Sequence, residues 1–232
     1  MQANADKLRK LHAMGLGPVW QRRGLLEQAV PTSTVGADEA IAAMDWDALN
    51  EAIANCTRCR LCKGRTHSVP GAGARKASWL FIGEGPGHDE DVQGEPFVGP
   101  AGKLLDNMLG ALTLTRAADV FIANVVKCRP VGPDGHDRPP AADEITACLP
   151  YLKRQIALIE PTVIVALGKT AATALLERDD KTALADLRET PHRVGELPVV
   201  VTYHPAYLLR KPADKAKSWR DLCLARSLID GR

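Results

Sequence analysis

Four short apolar runs organise the chain: Trp79-Leu80-Phe81-Ile82, Val120-Phe121-Ile122-Ala123, Val163-Ile164-Val165-Ala166 and Val199-Val200-Val201. Each is nearly continuous rather than alternating and rich in β-branched residues, the pattern of strands buried on both faces of a parallel sheet. Between them apolar positions recur at helical spacing. Leu104, Leu105, Met108, Leu109 and Leu112 follow Gly99-Pro100-Ala101-Gly102, where Pro100 suits a helix start. Ile145, Leu149, Leu152, Ile156 and Ile159 also keep a helical step, and Pro150 inside that pattern predicts a kink or a break between two helices. Lys169 to Leu176 reads as a short Ala-rich helix and Asp214 to Ile229 as a closing one. Upstream, Trp46, Leu49 and Ile53 share one helical face that runs directly into Cys56. Alternating strand and helix predict an α/β fold, a three-layer α/β/α sandwich on a short central parallel four-stranded sheet.

Residues 1–37 differ in character, with a short basic helix around Asp6 to Ala13, then Gly15, Gly17 and Pro18, then a Pro31-Thr32-Ser33-Thr34 linker. The expectation is a partly mobile appendage over 1–37 and one compact domain over 38–232. With 45% apolar and 25% charged residues in 232, composition excludes wholesale disorder and a fibrous repeat. No run approaches the roughly 18 apolar residues of a membrane span, and the opening Met1-Gln2-Ala3-Asn4-Ala5-Asp6 has no apolar signal core. A cytoplasmic protein without a membrane partner is therefore expected. In that compartment the six cysteines, Cys56, Cys59, Cys62, Cys128, Cys148 and Cys223, do not suit a disulfide framework and ask for another explanation.

The net charge of +2 conceals an uneven distribution. From Cys56 to Lys76 there are six bases and no acids; from Glu84 to Glu95 there are five acids and no Lys or Arg; Arg210 to Arg220 carries five bases against Asp214. Such runs are either solvated surface or basic flanks that attract a polyanion around an acidic loop that positions water.

In open parallel sheets chemistry gathers beyond the carboxyl ends of the strands. There the runs deliver Gly83-Glu84-Gly85-Pro86-Gly87, then Asn124, then Gly168-Lys169-Thr170, then Thr202-Tyr203-His204-Pro205. The first departs from a dinucleotide fingerprint because its third glycine falls one place early, and the third lacks the upstream glycine of an ATP loop, where Val163 stands. The helix start at Lys169 could still touch a phosphate through its backbone N–H groups. No Ser or Cys sits at an elbow, which argues against covalent acyl transfer. What remains is a carboxylate, an amide and an imidazole. An Asn reads a ring edge that alternates carbonyl and N–H, and an imidazole beside a ring carbonyl stabilises charge on a departing base. Phe97, just past the acidic loop, suits stacking on a base and equally suits a core.

These motifs, taken with Cys56-Thr57-Arg58-Cys59-Arg60-Leu61, Glu95-Pro96-Phe97-Val98-Gly99, Asn124-Val125-Val126-Lys127-Cys128-Arg129-Pro130 and His204-Pro205-Ala206-Tyr207-Leu208-Leu209, resemble the iron–sulfur uracil-DNA glycosylases called family 4, over about residues 50 to 225. The resemblance implies a DNA repair enzyme that hydrolyses the bond between uracil and deoxyribose and leaves an abasic site. It places Glu84 and Gly85 in the water- and uracil-contacting loop, stacks Phe97 on uracil, has Asn124 read its edge and has His204 steady the leaving anion. Ala206, Tyr207, Leu208, Leu209 and Arg210 would enter the DNA, single- or double-stranded, and the protein would act as a monomer. Another family, the one with the best-known glycosylase mechanism, places an Asp where this chain has Gly85, so the water-activating carboxylate stays open among Glu84 first and Asp89, Glu90 and Asp91 behind it.

For the cysteines, only Cys56-x2-Cys59 is a clear knuckle, whereas zinc ribbons pair two. Cys56, Cys59 and Cys62 imitate the start of a ferredoxin run, but Thr66 stands at the fourth position. The resemblance implies Cys56, Cys59, Cys128 and Cys148 as ligands of a [4Fe-4S] cluster, with zinc as the alternative. Cys62 and Cys223 then read as structural thiols, Cys223 on the apolar side of the last helix. The stretch Val131 to Asp137 makes the Cys128-to-Cys148 spacing longer than usual for the family. A related group traps DNA covalently through a histidine in this loop, which makes His136 the alternative reading; a non-catalytic DNA-binding iron–sulfur protein and an electron carrier are the others.

Overall fold

Six strands form one sheet in this computed structural model: β1 (Ala72–Gly73), β2 (Trp79–Gly83), β3 (Val120–Asn124), β4 (Val163–Leu167), β5 (His192–Val194) and β6 (Leu197–Thr202), in spatial order β1-β3-β2-β4-β6-β5. The structure describes residues 34–179 and 181–231, so the expected helix at Asp6 to Ala13 lies outside it. The four central strands are parallel and correspond to the four apolar runs. The edges are antiparallel: β1 pairs with β3, and β5 returns as a hairpin onto β6. Their two and three residues carry no apolar run, which is why hydrophobic patterning reveals only the central four.

Around the sheet lie α1 (Thr34–Ala42), α2 (Trp46–Ala54), α3 (His88–Gln93), α4 (Pro100–Ala111), α5 (Ala142–Ile159), α6 (Lys169–Leu176), α7 (Leu184–Leu187), α8 (Pro205–Arg210) and α9 (Lys215–Asp230). Successive strand side chains point to opposite faces. Leu80, Ile82, Ile164 and Ala166 join Leu49, Ile53 and Leu152 from α2 and α5 on one face. Phe81, Val163, Val165 and Leu167 join Leu105, Leu109 and Leu222 from α4 and α9 on the other. This is the three-layer sandwich.

Besides the two added antiparallel edge strands, two expectations need correction. Pro150 does not break the long helix, because α5 runs unbroken through it. The carbonyl that loses a donor belongs to Thr146, an exposed residue, so the lost hydrogen bond falls at the solvent side of the helix rather than in the core. Cys223 does not face the core: α9 buries Leu222 and Ala225 and leaves Cys223 exposed. Among the described residues no helix is long and apolar enough to cross a membrane.

Candidate active site

The parallel strands all end at one side of the sheet, and a cleft of about 620 Å³ opens there. Glu84, Gly85, Phe97, Asn124 and His204 all line it, with Ala206, Tyr207 and Arg210 from α8. The tertiary fold therefore gathers residues that lie far apart in the chain.

Gly83 and Asn124 pair directly across β2 and β3. A Cβ on Gly83 would come within 2.4 Å of Asn124 Oδ1 and 2.6 Å of Phe97 Cζ, so the missing side chain is what lets the amide and the ring close on the strand end. Asn124 is 1% exposed, and its Oδ1 is buried without a hydrogen-bond partner. An unmet acceptor of this kind costs about 1–3 kcal/mol, a cost that a ligand N–H would remove. The backbone carbonyl of Asn124 is held by Lys127 Nζ at 2.8 Å, and Lys127 also donates to Gln155 Oε1 at 2.6 Å. Burial lowers the Lys127 ammonium to about 8. Nothing in the sequence pattern marks this buried lysine.

Phe97 has φ 55°, a left-handed conformation unfavourable for a bulky residue. The surroundings impose it. Arg116 donates to Pro96 O at 2.8 Å and Phe97 O at 2.5 Å, while Glu90 Oε1 accepts from Val98 N at 2.9 Å and Gly99 N at 3.2 Å. On the other side α4 approaches so closely that a Cβ on Gly102 would lie 1.8 Å from Phe97 O. The ring is buried and tilted against the His204 imidazole, with centroids 5.5 Å apart.

His204 caps α8: its Nδ1 accepts from Ala206 N at 3.2 Å. Burial first, and the charge of Arg210 second, lower its pKa to about 4. The imidazole is therefore neutral near pH 7. Because Nδ1 accepts, the single ring proton sits on Nε2, which becomes a fixed donor.

The acidic loop sorts itself by contacts. Glu90 spans two loops, its Oε2 accepting from Gly87 N at 3.0 Å while Oε1 holds the Phe97 turn. Asp91 is buried and accepts from Thr66 N at 3.0 Å with both oxygens. Both are structural acceptors. Asp89 is exposed at the rim. Glu84 stays in the cleft, its Oε2 accepting from the Thr170 hydroxyl at the start of α6. Thr170 was not foreseen as its partner, although it lies at a strand end where polar groups gather.

In the predicted DNA-entering segment, Leu209 is 44% exposed and Arg210 is exposed, whereas Leu208 is buried in the protein. His136 is exposed on the hairpin closed by the Val131–Asp137 bridge, and it is not among the residues that line the cleft.

Past the end of β3, Cys56, Cys59, Cys128 and Cys148 line one cavity with Ile53, Leu61, Val126 and Tyr151. Cys62 lines it too, closer to the four than a bystander thiol need be. Hydrogen-bond donors point at the sulfurs: Arg58 N to Cys56 Sγ at 3.5 Å, Arg65 Nη1 to Cys128 Sγ at 3.2 Å and Lys127 N to Cys148 Sγ at 3.2 Å. Such donors, with no carboxylate in the lining, suit an anionic thiolate cluster. Burial pushes the Cys148 thiol up to about 12 and raises Cys59 and Cys128, so a bound metal would have to displace those protons. Among the described residues no three His, Cys, Asp or Glu side chains converge on a single-ion site.

One buried carboxylate ties this cavity to the cleft wall. Glu144 in α5 is 0% exposed and accepts from Arg60 Nε at 2.8 Å, Arg138 Nη1 at 2.8 Å, Arg138 Nη2 at 2.6 Å and Ala141 N at 2.8 Å. These donors, chiefly Arg138, lower its pKa to about 2.

Residues 70–225 match the family described as the uracil DNA glycosylase superfamily. The chain is 43% identical over 187 residues to a type-4 uracil-DNA glycosylase of Pyrobaculum aerophilum, covering 78% of this chain and 93% of that protein. It is 40% identical over 184 residues to a type-4 uracil-DNA glycosylase of Thermotoga maritima, covering the same shares, 78% and 93%. A type-5 uracil-DNA glycosylase of Pyrobaculum aerophilum is more distant, 26% identical over 195 residues, with 70% of this chain and 83% of that protein aligned.

Proposed function

This chain belongs to the uracil DNA glycosylase superfamily, and on that premise we propose that its cleft hydrolyses the bond between uracil and deoxyribose in DNA, releasing the base and leaving an abasic site. The observation that carries this reading is the buried, unpartnered Asn124 Oδ1 beside the Phe97 ring and the neutral His204. An extruded uracil stacks on Phe97. Its N3–H then meets Asn124 Oδ1, and its O4 accepts from the amide nitrogen. Cytosine presents an amino group and a bare ring nitrogen at those places, so both contacts fail and the base is rejected.

As the glycosidic bond breaks, electrons flow into the ring and charge grows on O2. His204 Nε2–H donates to that oxygen, and because the imidazole is neutral and capped it is oriented before the reaction begins. The deoxyribose left behind is oxocarbenium-like and cationic. Glu84, oriented by Thr170 through one oxygen, faces it with the other and positions the water that adds to the sugar carbon. Phosphates of the DNA meet Arg210, which is exposed and lines the cleft. Leu209 is the side chain of α8 placed to fill the space that the base vacates.

Cys56, Cys59, Cys128 and Cys148 would hold a [4Fe-4S] cluster, which when bound supplies covalent cross-links between the α2 end, the loop after β3 and α5. The test is direct: purified, iron-loaded protein is incubated with a uracil-containing oligonucleotide, and abasic sites are cleaved by alkali. Strand cleavage dependent on uracil is expected; intact strands would overturn the reading.

A further inference from the structure

Behind α8 lies a cluster that none of these roles uses. Arg188, whose side chain is 4% exposed, grips the fully buried Asp221 of α9 with Nε to Oδ2 at 2.8 Å and Nη2 to Oδ1 at 3.0 Å. Its guanidinium lies 4.3 Å over the Tyr203 ring. Tyr203 in turn stacks on Tyr207, with centroids 4.8 Å apart and planes 22° from parallel. The Tyr207 hydroxyl donates to Asp214 Oδ2 at 2.7 Å, and Lys217 pairs with Asp214 at 2.8 Å. The three groups thus form a continuous series of contacts from a buried ion pair to the cleft, where Tyr207 is a lining residue.

A buried ion pair is seldom the most stabilising way to fill a core, because desolvation offsets the attraction. A two-point grip does something that apolar packing does not: it fixes the plane of the guanidinium, and a fixed plane fixes the ring stacked on it. Tyr203 is held from below by that plane, and Tyr207 is held at its edge by Asp214. The outermost ring is therefore orientated before any ligand arrives, so little conformational entropy remains to be lost on contact.

We propose that Arg188, Tyr203 and Tyr207 form a preassembled stacking platform on which a nucleobase neighbouring the extruded uracil rests against Tyr207. The platform rests on the glycosylase reading above. Arg188 and Tyr203 act as positioning residues through Tyr207. Stacking of a base on an aromatic ring is tolerant of sequence, and its removal by alanine typically weakens binding by roughly 5- to 150-fold.

The test uses full-length, iron-loaded protein and a single-stranded oligonucleotide with 2-aminopurine beside a 2′-fluoro-2′-deoxyuridine that resists hydrolysis. Binding is read by anisotropy and stacking by 2-aminopurine fluorescence, with uracil release from an ordinary substrate assayed in parallel. Wild type should quench the fluorophore. Tyr207→Ala should abolish the quench and weaken binding by roughly 5- to 150-fold, and Tyr207→Phe, which keeps the ring but loses the Asp214 contact, should restore most of the quench. In a Tyr203→Leu background the cost of Tyr207→Ala should shrink at least about threefold, the signature of a coupled pair. Arg188→Lys, which keeps a charge for Asp221 but not the plane, should lower the quench in the same direction and serves if Tyr203→Leu does not fold. An unchanged quench in Tyr207→Ala, or independent effects of the two tyrosines, overturns the platform while uracil release by wild type leaves the glycosylase reading intact. Absence of uracil release by wild type overturns both.

Discussion

Acidifying the protein tests the state of His204. Its imidazole sits at about 4 instead of 6.5, chiefly through burial and then through Arg210, and Nδ1 can take a proton only by giving up the α8 cap on Ala206 N. At 1.36 kcal/mol per pH unit, that displacement corresponds to roughly 3 kcal/mol between the protonation states. The folded value lies below the unfolded one, so the unfolded chain binds the proton more readily. Above about pH 6.5 neither state is protonated and the linkage vanishes; between about 6.5 and 4 the folded state loses stability as pH falls; below about 4 the loss levels off. His204→Asn keeps a helix-capping side chain and removes the titration. Urea unfolding of wild type and variant at about pH 7.5 and about pH 5 should show their stability difference moving against wild type by about 2 kcal/mol on acidification. The acid limb of kcat should likewise carry no inflection near 6.5 that His204→Asn removes. A His204 resonance titrating near 6.5 in NMR, or a stability difference that ignores pH, would refute the burial argument, and a neutral form protonated on Nδ1 would refute the capping assignment.

Other expectations follow from single contacts. Gly83→Ala inserts a methyl group 2.4 Å from Asn124 Oδ1 and 2.6 Å from Phe97, and should lower kcat/KM on uracil-DNA by about 100-fold through misplacement; wild-type turnover would show that the strand end is not so tightly specified. Glu144→Gln weakens the charge-assisted hydrogen bonds from Arg60 and Arg138 while leaving both guanidiniums in water, and should destabilise the fold by about 1–2 kcal/mol in urea titrations. Arg116→Met removes both donors that secure the left-handed Phe97 turn, with an expected loss of about 1–2 kcal/mol and a raised KM in steady-state kinetics. Cys148→Ser should abolish bound iron and sulfide in anaerobically purified protein, and a zinc-loaded wild type would instead refute the cluster assignment.

The central sheet was legible because strands covered on both faces must be apolar throughout, and such runs stand out in any chain. Helices α4, α6 and α9 were legible from their spacing and end signals. The edge strands β1 and β5 and the short helix α3 were not, since two to six half-exposed residues carry no periodicity to detect. Pro150 misled because its effect depends on where the orphaned carbonyl points, and here it belongs to an exposed residue. In the site, Glu84, Asn124 and His204 could be named from strand-end positions alone. The groups that support the site could not: Thr170 reaches Glu84 and Arg116 reaches the Phe97 turn across segments that no local pattern connects, and Lys127, close to Asn124 in the chain, is also tied to Gln155 of α5.

What the sequence determined by itself is the list of chemical groups and the order of their arrival: a carboxylate, an amide and an imidazole, each just past an apolar run, and six cysteines, of which a family resemblance singled out four. Tertiary structure decided the state of each group. It made His204 neutral by burial, left Asn124 Oδ1 without a partner, turned Glu90 and Asp91 into structural acceptors while Glu84 stayed in the cleft, and placed Arg188 behind two tyrosines. The division has a physical basis. Residue type sets which protons and lone pairs exist, whereas solvation, distance and competing partners set which of them are available, and those are properties of the packed molecule alone.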